Sequence, residues 1–336
     1  MSYHAELILG EDIFAVVPAA EWNQLAADGP TDTPFQTHTY QQAWWQNLGR
    51  GELVSVVVKN DAKQLKGIAT FLLEDGVMQF NASKEETDYL DLIAQESEFD
   101  GVWTAVFNCL CTDACPAWTT LDCWNIPAES PSRTILPRLA QGRGFSLVEE
   151  RAEVCPVISL EGSFDDYLAG IDKKQRHEIR RKMRKADNFD VEIEVIGPED
   201  DLDQALDDFL HLLQCSTSDK QAWYNEFPSR GDVFRSVAKA ARDAGTLLLM
   251  FTKVEGERIS ALFNFMYDGR IWVYNSGNDI SKHRNLSLGW VLTGHAIQYG
   301  IEQGCHTFDF LRGDETYKYR FGAQDTEIFR LTVRKE

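Results

Sequence analysis

Residues 306–324 read HTFDFLRGDETYKYRFGAQ, a run in which carboxylates, cations and phenols crowd against the end of an apolar stretch. Asp309 stands between Phe308 and Phe310, so the period-2 alternation of a strand turns its carboxylate to the face opposite both rings. Arg312, Gly313, Asp314 and Glu315 follow, then Tyr317, Lys318, Tyr319 and Arg320. Open α/β sheets hold their ligands outside the carboxyl ends of strands, which makes this tract a candidate wall of a cleft. A solvated turn with Tyr317 and Phe321 packed beneath it has the same composition. Arg312 and Lys318 suit a phosphate or pyrophosphate on a carrier or a sugar nucleotide, with Arg312 able to bond it bidentately. On that reading Lys318→Ala lowers turnover by roughly tenfold or more without unfolding the protein.

A second unusual tract runs from Asp172 to Asp187, with eight Lys and Arg against three acidic residues in a chain whose formal charge is −20. Ile179, Met183 and Ala186 recur at helical spacing and mark a buried face, which leaves Arg176, Arg180, Arg181 and Arg184 around the rest. Such a helix is either simply solvated or receives an anionic acceptor, such as a lipid-linked or nucleotide-linked sugar or a tRNA acceptor arm. Cys109, Cys111, Cys115 and Cys123 cluster as C-x-C-x3-C-x7-C, which matches no paired zinc-knuckle spacing and has no His within it. These read as buried thiols, and no metal site is expected.

A strongly acidic balance, 33 Lys and Arg against 53 Asp and Glu, opposes nonspecific attraction to nucleic acid or anionic lipid, so any anion site must be local. The hydrophobic share of 43% and the nine Trp and nineteen Phe describe a packed globular protein, and 336 residues suit two domains better than one. The start, MSYHAELILG, lacks a basic region followed by an apolar run, and no stretch approaches the roughly 18 apolar residues of a membrane span. A cytoplasmic protein with reduced cysteines is the expectation.

The elements that must position these side chains come in a similar order in each half. In the first, ELIL reads as a strand and AEWNQLAA as a short helix; Tyr40, Trp44 and Leu48 share one face of a helix that stops at Gly49. LVSVVVK and KGIATFLLE flank the polar turn NDAKQ as a hairpin; FDGVWTAVFNCL follows as helical or mixed, and WTTLDCWNI as a strand. In the second half the strand CPVISL precedes one long helix, SFDDYLAGIDKKQRHEIRRKMRKADN. The strand DVEIEVI and two helices, DLDQALDDFLHLLQCS and DVFRSVAKAARDAG, come next. TLLLMFTKV and RISALFNFMY form a hairpin about VEGE; then come the strand IWVYNSGND, the helix SLGWVLTGHAIQYGIEQG and a last buried strand, HTFDFLRG.

FDFLRGDETYKYRFGA resembles the C-terminal signature of the CelD/BcsL-type GNAT acyltransferases of bacterial envelope and polysaccharide metabolism. The resemblance extends to TPFQTHTYQQAWWQNLG, to DYLDLI at Asp88–Ile93 and to KKQRHEIRRKMRK, and so touches most of the chain. These proteins are related in fold to Fem-type peptidoglycan aminoacyltransferases. The resemblance implies an α/β (α+β) fold of two tandem GNAT-like domains, residues 1–150 and 151–336, each a mixed, mostly antiparallel sheet flanked by helices.

What it implies for chemistry is direct transfer of an acyl group from acetyl-CoA or another acyl-CoA to an amine or a hydroxyl, without a metal. The strand carrying Tyr274, Asn275 and Ser276 would splay from its neighbour to receive the pantetheine arm. The pyrophosphate would sit over the N-terminus of a helix beginning near Ser287. The family's loop pattern, Gln or Arg, two residues, Gly, one residue, Gly or Ala, falls on Arg284, Ser287, Leu288 and Gly289, with serine in place of the first glycine. Ser287 is expected to cap the helix with its hydroxyl. Asp309, Asp314 and Glu315 are candidate bases, although Asp309 suits a loop anchor equally well; Tyr317 and Tyr319 are candidate acids, and Lys318 a third catalytic candidate. Gln36, His38, Tyr40, Trp44, Tyr89 and Asp91 fall in tracts that resemble the family and suit a sugar or peptide acceptor, although Tyr40 and Trp44 fit a packed core equally; Arg180, Arg312 and Asp314 are further substrate-binding candidates in the second domain.

Three functions remain open: an acyl-CoA-dependent N- or O-acyltransferase on an envelope or polysaccharide precursor, an aminoacyl-tRNA-dependent Fem-like ligase, and a noncatalytic GNAT-fold binding protein. The chain contains no G-x-S-x-G, Walker loop, H-E-x-x-H or dinucleotide fingerprint.

Overall fold

The computed structural model describes residues 2–82 and 84–335. They fall into two compact units. One comprises the residues up to Glu153 and those from Glu327 onward; the other is Val154–Thr326.

The first unit contains β1 (Tyr3–Leu9), α1 (Ile13–Val16), α2 (Ala19–Ala27), α3 (His38–Leu48), β2 (Glu52–Asn60), β3 (Leu65–Glu74), β4 (Val77–Phe80), β5 (Ile93–Ala94), α4 (Phe99–Leu110), β6 (Thr120–Pro127) and α5 (Ser132–Gly142). Its strands run in the order β1-β2-β3-β4-β6, with β5 on β3, all antiparallel except for β4 beside β6. The β-branched run of β2 fits a strand buried on both faces, and Val54, Val56, Val57 and Val58 lose all contact with solvent. Lys63, at φ 60, turns the expected hairpin between β2 and β3.

The chain crosses from the first unit to the second inside β7 (Ser146–Ser159). There follow α6 (Phe164–Gly170), α7 (Lys173–Asp187), β8 (Glu192–Val195), α8 (Leu202–Gln214), α9 (Ser218–Glu226), α10 (Arg230–Asp243), β9 (Leu247–Val254), β10 (Glu257–Tyr267), β11 (Arg270–Asn278), α11 (Leu288–Glu302), β12 (Thr307–Asp309), α12 (Thr316–Arg320) and β13 (Gln324–Arg334). The strand order is β7-β12-β11-β10-β9-β8, antiparallel except for β11 beside β12. The single long helix expected from residue 163 is two, because Ile171 takes an extended backbone and Asp172 caps α7 by accepting the Lys174 and Gln175 N–H groups. From its residue 327, β13 belongs to the first unit and pairs antiparallel with β6.

Alternation along β10 divides the core of the second unit. Leu262 joins Leu292 and Ile297 of α11 and Ile179 of α7 in one apolar cluster. Its neighbour Phe263 points the other way, and its ring meets Phe209 of α8 and Phe234 of α10 at 5.5 and 5.6 Å. The sheet is thus covered on both faces, a mixed and mostly antiparallel α/β arrangement. Among the described residues no helix is long and apolar enough to cross a membrane.

Candidate functional site

β11 pairs with β10 along its length but with β12 only where Arg270–Trp272 meet Thr307–Asp309. From Val273 to Asn278 no strand occupies its second edge among the described residues, so the two strands part as expected. A register shift between Phe263 and Asn264 makes Tyr274 an extra residue in β11 opposite β10, a bulge of the kind that re-aims a strand beside a site. The Tyr274 ring turns into the aromatic cluster of Phe234, Phe263 and Phe265, so the side chain packs the core. Asn275 accepts the N–H of Ser276 at 2.8 Å. Gly277 lets α8 approach the strand: a Cβ there would stand 2.6 Å from the Leu213 nitrogen.

A cleft of about 470 Å³ opens where β11 ends, lined by Asn278, Ile280, Lys282, His283, Arg284 and the first turn of α11. Leu286 and Leu288 anchor this loop in an apolar cluster with Val254 and Ile259, while Ser287 and Gly289 between and after them line the opening. Ser287 does not cap the helix as expected. It adopts the left-handed conformation, φ 55 and ψ 49, and makes no side-chain cap bond. The turn keeps the shape that a glycine takes without strain. A Cβ on Gly289 would meet no atom within 4 Å, so the first turn of α11 presents its backbone to open space. The first N–H groups of a helix have no partner four residues back, and the helix dipole adds positive potential there. Lys182 of α7 lies 3.9 Å over the ring of Trp290, and Lys185 bonds the Asn285 carbonyl at 2.8 Å, which ties the basic helix to this loop. Lys282 pairs with Glu257 and Asp279, and Arg284 Nε bonds the Ile280 carbonyl. The predicted Arg284, Ser287, Leu288 and Gly289 thus share one opening suited to an anion.

β12 stops at Asp309, four residues short of the strand expected to reach Gly313. Asp309 is 2% exposed and accepts the Leu311 N–H at 2.7 Å, and Leu311 itself is left-handed at φ 57. The Lys318 ammonium, equally buried, donates to the carbonyls of Leu311, Arg312 and Gly313 at 3.1, 2.8 and 2.9 Å and pairs with Glu315. Its expected service to a substrate phosphate is therefore corrected: a buried ammonium with those partners holds the loop itself. Tyr317 is more than a third exposed, stacks edge-on against Phe310 at 5.9 Å, and desolvation holds its phenol above the ordinary range. Tyr319 donates to Asp325 at 2.8 Å, and that bond pushes its phenol up to about 12. Arg312 is half-buried and Asp314 exposed on the same loop.

The expected acceptor site in the first unit is corrected more broadly. Gln36, Tyr40 and Trp44 are each 2% exposed, Asp91 4% and Tyr89 8%. His38, also buried, bonds the Phe14 carbonyl. Gln36 donates to the Asp91 carbonyl, Tyr40 to that of Glu86, and Trp44 to the Glu86 carboxylate. The Asp91 carboxylate takes the hydroxyls of Thr31, Ser130 and Ser132 and the N–H of Leu92. Burial raises its pKa to about 6 against those bonds. Aromatic and polar side chains in one tract are also what a buried hydrogen-bond network needs, and here they form one. In the second unit Arg180 is exposed and pairs with Asp165, while Arg181 pairs with Glu178.

One residue near the cleft had no signal in the sequence. Lys220 on α9 is half-buried and bonds the Ser276 carbonyl and hydroxyl at 2.7 Å each and Asn275 Oδ1 at 3.3 Å. It lies in SDKQAWYNE, a short helix of weak apolar patterning that only the tertiary fold brings to β11. All seven cysteines are free thiols. Among the described residues no three His, Cys, Asp or Glu side chains gather as a metal site.

No curated protein matches the chain. Among solved structures, FemX superposes with a TM-score of 0.66 at 11% identity, over 94% of this chain and 96% of that one. The C-terminal domain of a putative lysylphosphatidylglycerol synthetase from Agrobacterium fabrum gives 0.60 at 10% identity, over 95% and 92%. A tandem GNAT protein from the clavulanic acid biosynthesis pathway gives 0.52 at 11%, over 99% of both. At such identities the likeness is one of fold, and it makes this a GNAT-like fold. The sequence from residue 173 to residue 319, from the start of α7 through most of α12, matches the family model of the acetyltransferase (GNAT) domain.

Proposed function

We propose that this chain transfers an acyl group from an acyl-coenzyme A to an amine or hydroxyl on an envelope or polysaccharide precursor. The observation that carries the reading is the cleft at the start of α11, where the left-handed Ser287, the open Gly289 and the flanking Lys282, His283 and Arg284 continue directly from the free edge of β11. A pyrophosphate suits that turn because backbone N–H groups and the helix dipole converge there. An extended arm suits the strand edge that no strand covers, where Lys220, Asn275 Oδ1 and the Ser216 hydroxyl now hold the outward backbone groups of Ser276 and Asn278. The bound thioester would supply an activated carbonyl. The residues of the chain bind and orient it: Ser287 to Gly289 at the phosphates, Asn275 and Ser276 along the arm, and the loop held by Asp309 and Lys318 beyond them.

The aminoacyl-tRNA reading draws on the basic helix, but Arg180 and Arg181 are committed to Asp165 and Glu178, which lowers the positive potential available to an RNA backbone. Calorimetry with acetyl-CoA and with longer acyl-CoAs tests the proposal. Binding supports it, and the chain length preferred reports the acyl group; absence of binding for every acyl-CoA tried leaves the noncatalytic and tRNA readings.

A further inference from the structure

Resting on the acyl-donor reading above, we propose that Lys220 gives a proton to the departing thiolate of the donor. The position of its ammonium carries the argument. Lys220 reaches from α9 to the edge of β11 that β12 has left, and it bonds Ser276, two residues beyond the bulge at Tyr274 and two before Asn278, where the cleft begins. A ligand anchored by phosphates at α11 and lying along that edge brings its thioester end to this ammonium.

The three bonds of the ammonium are unequal. Those to the Ser276 carbonyl and hydroxyl are 2.7 Å long, whereas the bond to Asn275 Oδ1 is 3.3 Å. Asn275 Oδ1 already accepts the Ser276 N–H at 2.8 Å, so its bond to Lys220 is the one a sulfur can replace at least cost.

The proton-transfer properties agree with the geometry. Desolvation lowers the Lys220 pKa to about 8, with the Glu315 carboxylate acting to raise it and the Lys318 ammonium to lower it. A general acid works best when its pKa lies near the operating pH. Tyr317 and Tyr319, the acids expected from sequence, are both held above that range, and Tyr319 has its hydroxyl on Asp325.

The balance of the step is simple. The acceptor nitrogen or oxygen bonds to the acyl carbon, the carbon–sulfur bond breaks, and sulfur leaves with the electron pair and takes a proton from Lys220 Nζ. The attacking group releases one proton to water, and neutral Lys220 recovers one from water, so nothing is oxidised or reduced.

The test uses the full chain and free coenzyme A, and it needs no acceptor. Calorimetry measures binding, and the absorbance of the thiolate follows titration of the bound thiol in the wild type, Lys220→Met and Lys220→Arg. Because the Lys220 ammonium itself loses its proton near pH 8, the bound thiolate should appear at lower pH than in free coenzyme A, by less than the roughly one unit that a permanent charge beside the sulfur would give. Lys220→Met should return it to the free value, while Lys220→Arg, always charged, should keep it low. Identical titrations in wild type and Lys220→Met, with binding intact, overturn the proton-donor role and leave the acyl-donor reading standing. Loss of binding in both variants assigns Lys220 to holding the strand edge and also overturns the role. Failure of the wild type to bind coenzyme A overturns both inferences together.

Discussion

Asp309 and Lys318 grip the same residue from opposite sides: the carboxylate accepts the Leu311 N–H at 2.7 Å, and the ammonium donates to the Leu311 carbonyl at 3.1 Å. Leu311 is left-handed at φ 57, a conformation that costs an L-residue roughly 1 kcal/mol or more and persists only when its surroundings enforce it. Lys318 also serves the carbonyls of Arg312 and Gly313, and Lys318→Met would leave three carbonyls without their ammonium. We expect that substitution to destabilise the protein by about 3 kcal/mol, with urea unfolding as the measurement. A variant of unchanged stability but lost turnover would return Lys318 to the substrate-binding role first expected of it.

Ser287 offers the opposite experiment, a stabilising one. Its φ of 55 is easy for glycine and strained for serine, and its hydroxyl makes no cap bond that a substitution would forfeit. Ser287→Gly should raise stability by about 0.5–1 kcal/mol, after the extra freedom glycine gives the unfolded chain is set against the relieved strain. Ser287→Val should lower stability, since a β-branched side chain fits that region least. Both are read from thermal midpoints, and equal midpoints for the Ser, Gly and Val proteins would show that the turn is not held in this conformation in solution.

These two sites mark how far the sequence carries. The turn at Ser287 was only partly legible: the local order of residue types marks where the family's loop pattern has a glycine, but the expected hydroxyl cap is replaced by a left-handed backbone. The β2–β3 and β9–β10 hairpins were legible because polar turns sit between β-branched runs. What Lys318 does was not legible, because one ammonium can bind a phosphate or three backbone carbonyls, and only tertiary burial decides between them. Tyr40, Trp44 and Asp91 were ambiguous for the same reason: a hydrogen-bonded interior and a sugar site draw on the same residue types. Lys220 was invisible because its partners, Asn275 and Ser276, lie more than fifty residues away along the chain.

Gly289 allows the anion site to be tested without damage to the fold. An added Cβ meets nothing within 4 Å, and a carboxylate in the first turn of a helix is favoured by the dipole. Gly289→Asp should therefore unfold at or above the wild-type temperature. It should also weaken acetyl-CoA binding by roughly tenfold to a hundredfold, because it sets a negative charge where a pyrophosphate would rest. Undiminished affinity in calorimetry would move the phosphates away from α11.

Asp91 gives the first unit a pH signature. Its carboxyl is raised from the usual 3.8 to about 6 because burial penalises the charge more than the hydroxyls of Ser130, Ser132 and Thr31 and the Leu92 N–H relieve it. A raised pKa means that the fold favours the neutral acid. The associated stability is fully present below about pH 4, where the unfolded chain is protonated too, and is lost as pH rises through about 6. The amount at stake is on the order of 2–3 kcal/mol. Asp91→Asn cannot ionise and keeps an oxygen for the hydroxyls, so it lacks this loss. Thermal midpoints measured from pH 4 to pH 7 should show the wild type declining relative to Asp91→Asn, with most of the divergence between pH 4 and 6. Parallel profiles would mean that Asp91 is already ionised at acid pH and that its four donors outweigh its burial.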